Sequence, residues 1–459
     1  MSRVTGEIIA YNTLTGSKER LKTLSPGKVN IFVCGPTVYD YPHLGHAKTY
    51  TQFDFIVRYL RHKGYEVFYL QNVTDVDDKI IRRANERGVG WDELAREFES
   101  IYMEDMAALG NTSVSHYARA TDYIGQIVSQ VERLLEKGFA YRNSAGIYFD
   151  LTRFPDYGKL SGRTELREED AVSRVDEGAG KRNWNDFCIW KAAKDGEPSW
   201  DTPLGPGRPG WHIEDTAITE AFFGAQYDAH GGAVDLIFPH HEAEIAQMEA
   251  ISGLKPLAGH WLHTGFLNTG SRKMSKSLGN FTTIREALRL YGARVLRFYF
   301  VSSHYRASID FTESSLEQAG GALARIDEYV FRLDPELDDA GASEDAERLR
   351  RAVYGALDDD FNTPRAFAAV FDFVRARNVR GKSGRRCLEL LRELDGLFGI
   401  IDFNMPAVES GIVKLIEERQ EHRARRSYAA ADEIRSRLLG MGVQLYDTAD
   451  GVKWRKASQ

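Results

Sequence analysis

Cysteine is scarce in this chain: three residues in 459, Cys34, Cys188 and Cys387, far from one another. So few, so widely spaced, exclude a disulfide framework and suit a reducing compartment, so a cytoplasmic protein is expected. No run of about eighteen apolar residues occurs, so no membrane-spanning helix is expected. The opening MSRVTGEIIAYN lacks the apolar core of an export signal, and no export is expected. Positive charge is not in excess: 60 Lys and Arg stand against 67 Asp and Glu, a formal net charge of −7. Bulk attraction to nucleic acid is therefore not indicated, although a local basic face would suffice. Internal repeats and low-complexity tracts are absent too. What is present is ordinary soluble material, 42% hydrophobic and 28% charged, and too long for one core.

The chain opens with strand and helix in alternation. VNIFVCG (Val29–Gly35) is a β-rich run closed by Gly-Pro. Helical apolar spacing follows from about Leu44 to His62, and Gly64 ends it. EVFYLQNVT (Glu66–Thr74) predicts a second strand, and DVDDKIIRRANERG a helix with early acids and a stop at Gly88. This is the pattern of a right-handed parallel α/β unit. It breaks with helices near 91–109 and 121–137, a hairpin in AYRNSAGIYFDL and a charged, loop-like stretch in RTELREEDAVSRVDEGAGKRNW. It returns at GAVDLIFPHHEAEIAQMEAISG. The expected layout is therefore a split α/β domain, 1–119 and 208–265, around an insertion at 120–207. A segment follows at 266–320, then a helical bundle at 321–402. The last part, 403–459, is rich in Arg and Lys and is expected to be helical with a terminal segment around Trp454.

Three stretches carry chemistry. In CGPTVYDYPHLGHAKTY, His43 and His46 fall on one face of a starting helix, where free backbone N–H groups and the helix dipole favour phosphate. Gly45 leaves room for a nucleotide against the backbone. An isolated H-x-x-H is more often a polar helix cap. In SRKMSKSLGN, Lys273 and Lys276 sit on a loop bounded by Gly270 and Gly279, which suits a clamp for developing phosphate charge. A bare K-x-x-K is more often a solvated basic loop. In FPHHEAEIAQ, His240 and Glu244 are spaced i, i+4, so a helix would present both on one face as metal ligands. Asp215 lies in GWHIEDTAI, and Cys34 ends the first strand. Taken singly these read as a buried thiol, a surface acid and a capping histidine.

Together the strings resemble those of the cysteinyl-tRNA synthetases, a class I aminoacyl-tRNA synthetase family. HLGH and KMSKS match the paired signatures of that class, and QNVTDVDDK, GWHIEDTAI and HGGAVDLIFPHHEAEIAQ match strings of the family. The resemblance covers nearly the whole chain. It implies a Rossmann-like catalytic domain with an inserted connective domain, a KMSKS and stem-contact region, a helical bundle and a C-terminal anticodon-recognition segment. It implies an ATP-dependent ligase of L-cysteine to tRNA(Cys) that works through a cysteinyl-adenylate, with Mg²⁺ accompanying ATP. It also implies a zinc ion that grips the substrate thiolate, held by Cys34, Asp215, His240 and Glu244. The matching positions imply catalytic roles for His43, His46, Lys273 and Lys276. They imply amino-acid contacts from Thr74, Trp211 and Asp235. ATP contacts would come from Gly35, Thr37, His43, Gly45, His46, His230, Gly232 and Lys276.

One position departs from the family string: a second cysteine is usual where Asp215 stands. Carboxylate is a hard ligand and thiolate a soft one, yet each carries −1. Zinc remains the expected ion. A soft metal would also explain how serine is refused, since shape alone separates such isosteres poorly. Two other readings share parts of this pattern. A small-molecule cysteine ligase of the same fold would have the pocket motifs but a shortened chain, whereas this one runs on through DEIRSRLLGMGVQLYDTADGVKWRKASQ. A non-catalytic sensor should have lost a signature histidine or lysine, and all four are present. A monomer is the expected state.

Overall fold

Val29, Ile31, Phe32 and Val33 are all inaccessible to solvent, as in a strand covered on both faces. They belong to β1 (Lys28–Val33), the central strand of a five-stranded sheet. The structure is a computed structural model that describes residues 7–163, 180–270, 272–274, 281–338, 343–380, 383–403, 410–448 and 451–456. The other strands of this sheet are β2 (Glu66–Val73), β3 (His116–Arg119), β4 (Tyr227–Ala233) and β5 (Ala258–Thr264). All pairings are parallel, in the order β5-β4-β1-β2-β3.

Helix α1 (Leu44–His62) carries the chain from β1 to β2. Helix α2 (Trp211–Phe223) precedes β4, and α3 (Glu242–Ser252) joins β4 to β5. The two crossovers leave β1 and β4 in opposite directions, so a crevice opens between these strands at their carboxyl ends, where ligands bind in such sheets. Cys34 follows β1, Thr74 follows β2 and Asp235 follows β4, which brings the three to that edge.

The insertion forms its own four-stranded antiparallel sheet from Ala140–Asn143, Gly146–Phe149, Phe187–Ala192 and Gly207–Pro209. The first two are the hairpin expected from AYRNSAGIYFDL. Most of the charged stretch expected as loop, residues 164–179, lies outside the described residues. The inserted sheet is tied to the α/β layer by Asp78, which pairs with both Lys191 and Arg208.

Beyond β5, strands β6 (Leu267–Thr269) and β7 (Arg272–Lys273) form a hairpin, and helices dominate from Ile284 to Phe398. The chain divides into two compact units, 1–401 and 402–459. The second contains helices Ser410–Ala424 and Tyr428–Gly440 and, against the expectation of an almost wholly helical end, a hairpin of Val443–Thr448 with Gly451–Lys456. Val443 and Leu445 are buried with Ile434 and Leu438. That period-two burial makes the segment a strand.

Candidate active site

Cys34 is the first residue past β1, and it faces four side chains brought from elsewhere. Its Sγ lies 3.3 Å from Asp215 Oδ2, 3.8 Å from Glu244 Oε1, 3.2 Å from His241 Nε2 and 3.6 Å from His230 Nε2. Asp215 comes from α2 and Glu244 from α3. His240 Nε2 is 3.0 Å from Asp215 Oδ2 and 3.4 Å from Glu244 Oε1. His240 was expected on a regular helix with Glu244. It instead sits in an irregular turn, Ile237–His241, in which Phe238 is extended, and the helix proper begins at Glu242. The i, i+4 pair still converges because the turn winds into the helix.

Cys34, Asp215, His240 and Glu244 thus form a wholly buried group whose ligand atoms lie within 4.8 Å of one another. A tetrahedral zinc site with bonds of about 2.0–2.3 Å has donor–donor edges of roughly 3.3–3.7 Å. The four separations above, 3.0 to 3.8 Å, straddle that span. Glu244 Oε1 faces this group, while its Oε2 turns toward His230 Nδ1 at 3.8 Å and is buried with no hydrogen-bond partner among the described residues. Burial first, then the charges of Glu244 and Asp215, push the Cys34 thiol well above its ordinary value. Burial and Asp215 likewise raise Glu244. Such a cluster is costly without a positive ion among its acids, and the donor set fits a divalent metal.

A second set, Cys34, His230, His241 and Glu244, is equally compact. His241 Nδ1 faces His263 Nε2 at 2.8 Å, His230 Nδ1 faces the Tyr227 hydroxyl at 2.7 Å, and His230 stacks on Trp261. These rings are backed into the sheet. His240 instead stacks at 4.0 Å on Trp211, which is 37% exposed, so the set with Asp215 opens toward the crevice. The Nδ1 of His240 meets His212 Nδ1 at 2.8 Å, a partner that fixes the ring and leaves Nε2 to the cluster. His212, His241 and His263 were not singled out in the sequence. Nothing in their spacing marks them.

The helix start beside Cys34 is capped by the signature itself. His43 is the N-cap of α1, and its Nδ1 accepts the Gly45 N–H at 3.1 Å, while His46 Nδ1 accepts the His43 N–H at 3.3 Å. The rings stack at 4.0 Å. This is a capping box built from two imidazoles. A Cβ at Gly45 would lie 2.8 Å from the His43 ring and would push that capping side chain aside. Thr37 pairs with Thr74 in a bridge across the strand ends.

The chain just beyond the second signature reaches the same place. Leu44 N–H donates to the Thr282 carbonyl, and Ile284 N–H to the Pro42 carbonyl, both at 3.1 Å. Backbone bonds therefore join the HLGH turn to the segment just after KMSKSLGN. Met274 is buried and its N–H bonds the Leu267 carbonyl at 2.9 Å. Lys273 lies in β7, and Lys276 falls outside the described residues. Thr74 is buried next to the cluster, and Asp235 is exposed beyond the end of β4. His230 and Gly232, expected on the nucleotide side, are buried against the histidine cluster. A Cβ on Gly232 would come 2.8 Å from the His241 ring.

A family model described as tRNA synthetases class I (C) catalytic domain matches residues 20–321, and a DALR domain model matches 352–404. Among solved structures, Mycobacterium tuberculosis methionyl-tRNA synthetase in complex with methionyl-adenylate shares the fold. Its TM-score is 0.60 at 18% identity, over 77% of this chain and 83% of that one. Fold and signatures together define a class I aminoacyl-tRNA synthetase. The cysteine–tRNA ligase of Thermococcus onnurineus is 44% identical over 98% of this chain and 99% of its own. That of Geobacter sulfurreducens is 44% identical over 97% and 98%. The chain belongs to the cysteine–tRNA ligase family.

Proposed function

We propose that the chain joins L-cysteine to tRNA(Cys) at the expense of ATP, in the cytoplasm, with a zinc ion held by Cys34, Asp215, His240 and Glu244. The observation that carries this reading is the buried thiol–carboxylate–imidazole group directly before HLGH. The ion supplies a soft Lewis acid that takes a thiolate readily and a hydroxyl poorly. Trp211, stacked on His240, and Thr74 would wall the amino-acid side, with Asp235 at its mouth.

His43 and His46 serve the nucleotide. With each Nδ1 accepting a backbone N–H, a neutral ring carries its proton on Nε2, a donor suited to phosphate oxygen. Gly35, Thr37, Gly45, His230 and Gly232 are the further ATP positions in this reading. The cysteine carboxylate attacks the α-phosphorus of ATP, the bond to pyrophosphate breaks, and cysteinyl-adenylate forms. Lys273 and Lys276 meet the charge on the departing pyrophosphate, and Mg²⁺ bound with ATP would add positive charge there. A terminal ribose hydroxyl of the tRNA then attacks the activated carbonyl and AMP leaves. These groups act by positioning and electrostatics.

Amino-acid-dependent ATP–pyrophosphate exchange across all twenty amino acids tests the reading. Cysteine alone should support strong exchange, serine should not, and the purified protein should contain zinc. Undiminished activity and serine rejection in metal-free protein would refute the zinc assignment.

A further inference from the structure

Asn72 is a buried side chain near the end of β2, 1% exposed, and although it lies in the QNVTDVDDK string it has been given no role so far. Its Oδ1 accepts the Gly35 N–H at 2.5 Å. A backbone N–H can only donate, so the atom facing it is the oxygen, and the amide orientation follows. Nδ2 then points to Asp215 Oδ1 at 2.6 Å, with Thr74 Oγ1 at 3.4 Å. The other carboxylate oxygen, Oδ2, is the one turned to Cys34 Sγ and His240 Nε2.

We propose that Asn72 is a positioning residue that holds Asp215 to a single metal-donor oxygen. A thiolate has one donor atom and needs no such help. A carboxylate has two and can swing or chelate, which changes coordination number and charge donation. Asn72 occupies one oxygen and leaves the other, so the aspartate presents one donor where the family string has cysteine. The same amide is clamped by the residue after Cys34. A Cβ on Gly35 would fall 1.7 Å from the Asn72 carbonyl oxygen, so the Cys34–Gly35 turn lies directly on β2. Cys34 and Asp215, far apart in sequence, are thus both referenced to Asn72. Hydrogen-bonded partners of this kind are worth 10–100-fold in metal affinity. The inference rests on the metal reading above.

The test uses the full-length protein and its Asn72→Leu and Asn72→Asp variants, in the Asp215 and the Asp215→Cys backgrounds. Zinc competition against a chelator is read together with the visible spectrum of the Co²⁺-loaded protein. Asn72→Asp keeps an acceptor for Gly35 and sets a charged carboxylate oxygen where the donor stood, so it serves if Asn72→Leu does not fold. In the Asp215 background both should weaken zinc retention by roughly 10–100-fold and alter the Co²⁺ d–d bands, as a second oxygen enters. In the Asp215→Cys background the loss should be severalfold smaller. Equal losses in the two backgrounds, or unchanged retention and spectrum in the first, would overturn the role of Asn72 alone. Parent protein that holds no metal would overturn the metal reading and this inference together.

Discussion

In the zinc reading proposed above, Asp215 sets an oxygen donor where the family string has a sulfur one, with no change in formal charge. The harder ligand donates less charge, so extraction by chelators should be easier than from an Asp215→Cys variant, which should still bind zinc. Asp215→Ala should lose the metal and weaken cysteine binding, as read by metal analysis and by the cysteine KM in exchange assays. A second residue-scale expectation concerns Lys276. Removing one preorganised donor costs on the order of 10²–10³ in rate, so Lys276→Ala should cut exchange by that factor with little change in ATP affinity. A rate within about threefold of the parent, well below that range, would dismiss the role. Lys48 offers a pH-dependent check. It is inaccessible, and among the described residues it bonds neutral acceptors alone, Gln52 Oε1 at 3.1 Å, the Gly265 carbonyl at 2.8 Å and the Tyr305 carbonyl at 3.4 Å. Burial lowers its pKa from 10.5 to about 7. Between those values the unfolded chain binds more protons, so this lysine makes unfolding costlier as pH rises. Denaturant titrations at pH 7 and 10 should therefore show the stability gap to Lys48→Met shifting in favour of the parent at the higher pH.

Among the elements, the junction between the inserted sheet and the α/β layer is the most testable. Asp78 opens the helix Asp78–Arg87 and receives Lys191 and Arg208 from the inserted strands. Burial alone would raise its carboxyl, yet the two cations hold it down at about 2. Asp78→Asn should cost about 1 kcal/mol, because Lys191 loses its carboxylate partner while Arg208 keeps Glu197 at 2.8 Å. The pKa is depressed, so the deficit should be full above the ordinary aspartate value of about 3.9 and fade as pH falls toward 2. Denaturant midpoints of parent and variant against pH read both features. The other junction, between HLGH and the segment after KMSKSLGN, uses main-chain bonds, so side-chain substitution should leave it largely intact.

On the scale of the molecule, the division at Ile401 separates the catalytic sheet and helical bundle from a small terminal unit. The relatives match across both, as a tRNA-joining enzyme requires and a shortened small-molecule ligase does not. Deleting 403–459 should leave cysteine-dependent exchange nearly intact, since every residue proposed for adenylate formation precedes it. Transfer to tRNA should fall, and tRNA binding should weaken and lose part of its salt dependence, because the exposed arginines Arg423, Arg425, Arg435 and Arg437 are removed. Filter binding across a salt series with charging assays measures both. A folded truncation that charges tRNA at full efficiency would point to recognition elsewhere.

The sequence by itself determined the alternation of strand and helix, the boundaries of α1 and β2, the helix stop at Gly88 and the residues of the two signatures. Those are local properties: apolar period, caps and glycine stops act within a few residues. It also named His240 and Glu244 from their spacing, and joined Cys34 and Asp215 to them only through a resemblance. Only the tertiary structure decided that these four converge, since Cys34 and Asp215 are 181 positions apart. It alone revealed His230, His241 and His263 behind them, the capping box made by His43 and His46, and the terminal hairpin. It alone decided which oxygen of Asp215 faces the cluster. That choice belongs to Asn72 and the Gly35 N–H, partners that a buried carboxylate requires but that no linear spacing specifies.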